Sequence, residues 1–266
     1  VPIVEGLTQD QTRKEAQELY RAERDKATLR PLTEKYPKLE PQEAYQIQLA
    51  LIGMKRADGI KVVGKKIGLT SKAMQKMLNV DQPDYGHILD NMVLQDGTVF
   101  SAGELIQPKI EPEIAFILDR ALQGPGVTAL EVLAATRFVV PALEIIDSRI
   151  EGWKIRLCDT IADNASSARV VIGSSPKRVD QLDLKLVGMV LEKNGEIIQT
   201  GAGGAVLGHP AKAVAWLANA VGQYGVCLEA SEIIMPGALC AAADVKPGDL
   251  IQASFDGLGT VSVRFV

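Results

Sequence analysis

Ile60-Lys61-Val62-Val63-Gly64-Lys65-Lys66-Ile67-Gly68-Leu69 is where this 266-residue sequence changes texture. Branched apolar residues at short intervals, bounded by Gly59 and Thr70-Ser71, make strand grammar. The stretch before it is helical. Thr8 and Gln11 have capping-box spacing, and Gln9 to Ala27 is rich in Glu, Lys, Arg and Ala. Leu19 and Tyr20 are its only large apolar residues before Leu29, a stripe thin enough to predict packing at an edge or against another subunit. After a polar connector from Pro31 to Pro41, a second helix starts near Pro41 and runs through Ala44, Ile47, Leu49, Leu51 and Ile52.

From Ile60 onward short strands dominate: Ile60–Leu69, Met92–Phe100, Glu113–Leu118, Phe138–Ile146, Arg169–Ile172 and Leu184–Leu191. Lys193-Asn194-Gly195-Glu196 predicts a hairpin turn, and Asp249 to Val266 a second hairpin turning near Asp256-Gly257. Helices are expected at Ser71–Leu78, Thr128–Thr136 and Pro210–Val221. Because these helices do not alternate regularly with the strands, the pattern favours an α+β fold over a doubly wound one. The expected form is a mixed β-sheet roll, barrel-like, over residues 60–266, with a helical N-terminal part over residues 1–59.

Composition removes several functions. The chain has 29 Lys and Arg against 33 Asp and Glu, a net charge of −4 with no basic cluster, so neither nucleic acid nor an anionic membrane is an expected partner. No apolar run approaches the ~18 residues of a membrane span. The polar first twenty residues lack a secretory apolar region, so the cytoplasm is the expected compartment. Cys158, Cys227 and Cys240 are odd in number and apolar in setting, which favours buried free thiols. With His87 and His209 the only histidines, there is no HExxH pair and no His-rich zinc cage. GxSxG and the P-loop are absent, and Gly201, Gly203, Gly204 and Gly208 do not make GxGxxG. Chemistry must rest on carboxylates, lysines, hydroxyls or a hard metal.

Gln107-Pro108-Lys109-Ile110-Glu111-Pro112-Glu113-Ile114-Ala115-Phe116-Ile117 holds the strongest candidates. In a strand, Glu111 and Glu113 project from one face. Two such charges repel unless a cation lies between them, although the exposed face of an edge strand would read the same. Glu144, in Phe138-Val-Val-Pro-Ala-Leu-Glu-Ile-Ile-Asp147, is flanked by apolar residues and would cost several kcal/mol if buried alone. It needs a cation, either a metal shared with Glu111 and Glu113 or a Lys or Arg. Three carboxylates suit Mg²⁺ or Mn²⁺. Strand alternation sends Lys65 and Lys66 to opposite faces, so one can point inward as a base or anion anchor; two solvated lysines are the plainer reading. Thr70 and Ser71 close that run and are candidate substrate contacts. Asp84, in Asp81-Gln-Pro-Asp-Tyr-Gly86, is expected on a loop, as a proton shuttle or a turn residue. Asn164 and Ser166, in Ala162-Asp-Asn-Ala-Ser-Ser167, line a substrate pocket or form a turn. His209, before Pro210, is a weak pocket candidate or a helix cap.

These phrases, with Gly201-Ala-Gly203 and Leu207-Gly-His-Pro210, occur in an order that resembles the hydratase/decarboxylase family of bacterial meta-cleavage pathways, within the fumarylacetoacetase-like superfamily. The resemblance runs from about residue 40 to the C-terminus. It implies a fumarylacetoacetase-type catalytic fold and a divalent ion, Mg²⁺ or Mn²⁺, on Glu111, Glu113 and Glu144. It also implies a catalytic lysine at Lys66 and a homo-oligomer. The implied substrate is a small 2-oxo or 2-hydroxy dienoate acid. The implied reaction is hydration of 2-hydroxypenta-2,4-dienoate (2-oxopent-4-enoate) to 4-hydroxy-2-oxopentanoate, with 4-oxalocrotonate decarboxylation as the alternative. Asp84 sides with hydration, since the decarboxylases carry an apolar residue there. Protonation at C5 would fall to Lys66 or Asp84, and water addition at C4 to Asp84. A non-catalytic partner subunit, or a complex with a homologous pathway enzyme, is the remaining alternative; the intact carboxylates argue against the former.

Overall fold

The computed structural model describes residues 6–71, 75–76, 80 and 82–266. Helix α1, Gln9–Asp25, begins with the expected reciprocal cap between Thr8 and Gln11 and ends at Lys26 in the left-handed region. Helix α2 is the short Leu32–Lys35, and α3, Pro41–Ala57, has its proline at the first position. The thin apolar stripe of α1 is not left for another subunit. Ala16, Leu19 and Ala22 are buried within the chain, and α1 packs against α3. Ala16 and Leu19 join Ala44, Ile47 and Leu51 in one core with Ile150, Cys158, Ile161 and Ala162. A short stripe suffices because the helix is covered along one side only.

Beyond α3 the described residues form thirteen strands: β1 Val62–Gly68, β2 Asp84–Leu89, β3 Val93–Gln95, β4 Thr98–Phe100, β5 Lys109–Leu118, β6 Thr136–Ile146, β7 Ser167–Ile172, β8 Gly188–Lys193, β9 Glu196–Ala202, β10 Ile233–Met235, β11 Ala243–Asp244, β12 Leu250–Phe255 and β13 Gly259–Phe265. The larger sheet runs β2-β1-β10-β5-β6-β7-β3, with β11 also on β5, and the smaller runs β4-β13-β12-β8-β9. Both are mixed: β1 is parallel to β10, β3 to β7 and β13 to β4. Phe116, Leu143 and Val171 of the larger sheet share a core with Leu191, Ile251, Ala253 and Val263 of the smaller. The two sheets thus pack as an open roll, with no closed barrel among the described residues. Helices α4, Ala129–Ala135, α5, Leu157–Ala162, and α6, Pro210–Gly222, lie in the connections. No helix among the described residues is long and apolar enough to cross a membrane.

Several boundaries move for physical reasons. Met92–Phe100 is two strands, because Gly97 takes a left-handed turn after Asp96. The run predicted from Leu184 becomes strand only at Gly188. β5 starts at Lys109, earlier than expected, and carries Pro112 inside a sheet. This is tolerated because β10 and β11 pair only with the two ends of β5, while Pro112 O accepts a loop amide from Leu239 at 3.0 Å. The missing N–H therefore faces a gap in the ladder. Asp84 opens β2 and is not on a loop. The helix expected at Ser71–Leu78 falls mostly outside the described residues, with Gln75 and Lys76 helical, and Asp81 lies outside them too.

Candidate metal centre and active site

The antiparallel β5–β6 register sets Glu111 directly opposite Glu144, and strand alternation brings Glu113 to the same face. One oxygen from each lies within 4.8 Å of the others. Glu113 and Glu144 are buried and Glu111 is half-buried. Glu113 Oε2 accepts the Gly237 amide at 2.8 Å, but Glu113 Oε1 and Glu144 Oε1 have no hydrogen-bond partner, and Glu144 Oε2 faces the Lys66 ammonium at 3.3 Å. Burial first, then the neighbouring carboxylates, raises the pKa of Glu113 far above the ordinary range and that of Glu111 to about 7. Buried oxygens of like charge without donors are costly. A hard dication on three oxygen donors removes that cost, so the residues present fit Mg²⁺ or Mn²⁺.

Lys66, two strands away on β1, supplies one cation. Its Nζ lies 3.3 Å from Glu144 Oε2 and donates to Ala165 O at 3.0 Å. Burial works against the ammonium, but Glu144, Asp84, Glu111 and Glu113 outweigh it and hold its pKa above the ordinary value. These carboxylates thus favour the ammonium form, which fits the anion-anchor reading of Lys66. Lys65 goes to the opposite face, as alternation requires. It is buried too, paired with Glu232 at 2.6 Å, so neither lysine is a solvated surface residue.

Asp84 pairs with Gly68 across β1–β2 and is 1% exposed. Burial raises its pKa, opposed by Lys66, the Thr160 hydroxyl and backbone amides. Its Oδ2 accepts from Thr160 Oγ1 at 3.2 Å, while Oδ1 has no partner. A Cβ on Gly68 would fall 2.2 Å from Oδ1, so only glycine leaves room for this carboxyl.

The remaining candidates divide. Thr70 lies against Gly237, the residue whose amide binds Glu113, at the rim of the cluster; half-buried Ser71 follows it. Ser166 Oγ is buried without a partner, next to the Ala165 carbonyl that holds Lys66. Asn164 binds the β2 backbone: its amide accepts from His87 N at 2.7 Å and donates to His87 O at 2.9 Å. His209 takes the second of its two readings, the helix cap. Its Nδ1 accepts from Ala211 N, capping α6, and the charges around it are Asp183, Lys212 and Lys185. Sequence reasoning missed Thr160, the Ala165 carbonyl and the Gly237 amide. None has a local signature, and Asn164, Ala165 and Ser166 all take left-handed backbone that no glycine announces.

Residues 59–266 match the fumarylacetoacetate (FAA) hydrolase C-terminal family, and the chain belongs to it. It is 47% identical to 2-hydroxyhexa-2,4-dienoate hydratase of Comamonas testosteroni, over 94% of this chain and 96% of that one. It is 44% identical to 2-keto-4-pentenoate hydratase of Paraburkholderia xenovorans (strain LB400), over 97% and 96%. Among solved structures, 4-oxalocrotonate decarboxylase from Pseudomonas putida G7, complexed with magnesium and adipate, superposes with a TM-score of 0.95 at 40% identity, covering 98% of this chain and 99% of that one. Hydratases and decarboxylases are both lyases, and this chain is an enzyme of that class.

Proposed function

We propose that the enzyme hydrates 2-hydroxypenta-2,4-dienoate to 4-hydroxy-2-oxopentanoate in aromatic meta-cleavage catabolism. Glu111, Glu113 and Glu144 would hold Mg²⁺ or Mn²⁺. The observation that carries this reading is the group of three converging carboxylates, with Glu113 Oε1 and Glu144 Oε1 unpaired and Lys66 and Asp84 buried beside it. A magnesium-bound relative at 40% identity supports the choice of ion. When bound, the dication supplies Lewis acidity toward the 2-oxygen and carboxylate of a 2-oxo acid.

The chain's own residues account for the proton movements. Lys66, held as the ammonium, stays charged while negative charge builds on the substrate enolate. Asp84, with its pKa raised, delivers a proton to C5 of the dienol as the 2-hydroxyl proton leaves, giving the 2-oxo-3-enoate. As the carboxylate, Asp84 then takes a proton from the water whose oxygen bonds to C4, which restores its acid form, and C3 takes up the proton released from the 2-hydroxyl, so that the net change is the addition of one water. Thr70, Ser71 and Ser166 are the proposed substrate contacts. The N-terminal helical segment, 1–59, serves as support and 60–266 as the catalytic β-roll. A cytoplasmic homo-oligomer is the expected form, alone or with a homologous pathway enzyme.

Decarboxylation of 4-oxalocrotonate is the second reading, favoured by the TM-score of 0.95 to a decarboxylase. It needs the same electron sink but no water-activating group, which leaves a buried Asp84 without a purpose. The test is a parallel assay of 2-hydroxypenta-2,4-dienoate and 4-oxalocrotonate, with Mg²⁺ or Mn²⁺ and with chelator. Hydration of the dienoate that chelator abolishes is expected. CO₂ release from oxalocrotonate without dienoate hydration overturns the first reading, and chelator-resistant hydration overturns the metal assignment.

A further inference from the structure

Asp84 is held by the segment from Leu157 to Ser167, which touches the catalytic strands at several fixed points. Thr160, buried on α5, donates to Asp84 Oδ2. One residue further along each partner, fully buried Gln48 of α3 donates from Nε2 to Tyr85 O at 3.0 Å and to Ile161 O at 2.7 Å. Its Oε1 meets His87 Nδ1 at 3.0 Å, so one amide ties β2 to α5 beside the Asp84–Thr160 contact. The start of α5 is fixed by Asp159, which accepts from Thr33 N, Thr33 Oγ1 and Arg156 N. Beyond its end, Asn164 grips both backbone groups of His87, and Ala165 O receives Lys66.

This arrangement treats the two carboxyl oxygens of Asp84 differently. Oδ2 has the hydroxyl; Oδ1 is buried, partnerless and seated over Gly68. We infer that Thr160 is a positioning residue: by fixing Oδ2 it aims Oδ1 at the substrate as the atom that gives and takes the proton. This rests on the proposed hydration, with Asp84 as its proton carrier. A freely rotating carboxyl would present the same charge in many orientations, whereas proton transfer needs one.

The test compares Thr160→Val, Thr160→Ser, Asp84→Asn and the double variant D84N/T160V. T160V should lower kcat by roughly 10-fold or more, the effect of losing one hydrogen bond to an ionised group. KM for the dienoate and the dissociation constant of Mn²⁺ should stay within about twofold, because Thr160 contacts neither. T160S, which keeps the hydroxyl, should recover most of kcat. On a D84N background, T160V should cost nothing further, since its effect passes through the carboxyl that is gone. Should the valine variant not fold, Thr160→Ala takes its place in the same comparison. Wild-type kcat in T160V overturns the inference. So do multiplying losses in the double variant, or a T160S as impaired as T160V. A wild type that does not hydrate the dienoate overturns the proposed function itself, and is seen before any variant is compared.

Discussion

Replacing Glu111 by Gln should stabilise the metal-free enzyme while destroying its response to metal. Glu111 faces Glu144 across β5–β6, and burial, then the Glu144 charge, push its pKa from 4.5 up to about 7. At about 1.4 kcal/mol per pH unit, keeping this carboxylate ionised at pH 8 costs the folded protein about 3 kcal/mol. That is an upper bound, since the group is half-buried and partly screened. A folded pKa above the unfolded one means the native chain holds the proton more tightly. The metal-free protein therefore loses this stability as pH rises from about 4.5 to 7, and regains it on acidification. Gln removes the charge, and its amide can donate to the unpaired Oε1 of Glu144 or of Glu113. With EDTA at pH 8, E111Q should be more stable by about 1–3 kcal/mol, a rise of several degrees in Tm. At pH 5 the advantage should largely vanish. Saturating Mg²⁺ should reverse the order, since a site filled at 100 times its Kd adds about 2.7 kcal/mol to the wild type alone. Thermal unfolding by circular dichroism, at both pH values with chelator and with metal, checks all of this. An E111Q that melts below wild type in EDTA at pH 8, or keeps the full magnesium shift, refutes the reasoning.

Burial lowers the His87 pKa to about 4, with Lys65 adding to the effect. The unfolded chain therefore takes up the proton first, and stability should fall by up to about 3 kcal/mol as pH drops from 6.5 to 4. Urea unfolding of His87→Gln should show a shallower fall over that range, and parallel curves would count against the buried neutral ring. Gly68→Ala should lower kcat at least 10-fold with Mn²⁺ affinity retained, because its Cβ would displace Asp84 Oδ1; kinetics and metal titration check it, and full activity would place Asp84 elsewhere. Asp163→Asn should cost about 3–5 kcal/mol in urea unfolding, by stranding the buried Arg149 guanidinium it pairs with; a loss under 1 kcal/mol would contradict that.

Much of this was legible along the chain. The Thr8–Gln11 cap, the Asn194-Gly195 turn, the C-terminal hairpin and the α+β class arise from local chemistry, which needs only neighbouring residues to act. Alternation alone put Glu111 and Glu113 on one face and parted Lys65 from Lys66. The two β5 and β6 motifs were legible as candidates because carboxylates among apolar neighbours are expensive unless a cation meets them.

Other features depended on partners distant in sequence. Asp84 read as a loop residue, proton shuttle or turn former, because Asp-Tyr-Gly is turn-like. It became a buried strand residue through pairing with β1 and the hydroxyl of Thr160, 76 positions away. His209 read as a weak pocket residue or a helix cap, and it caps its own helix. The α1 stripe read as an edge or subunit contact, and α3 and the 150–162 segment cover it within the chain. The sequence by itself determined which side chains could carry the chemistry and on which face of their strands they lie. Only the tertiary structure decided which of them meet, because register across β5–β6 and the packing of α3 on α5 are long-range events. No local pattern encodes those events, and they alone set the distances and burial on which the charges act.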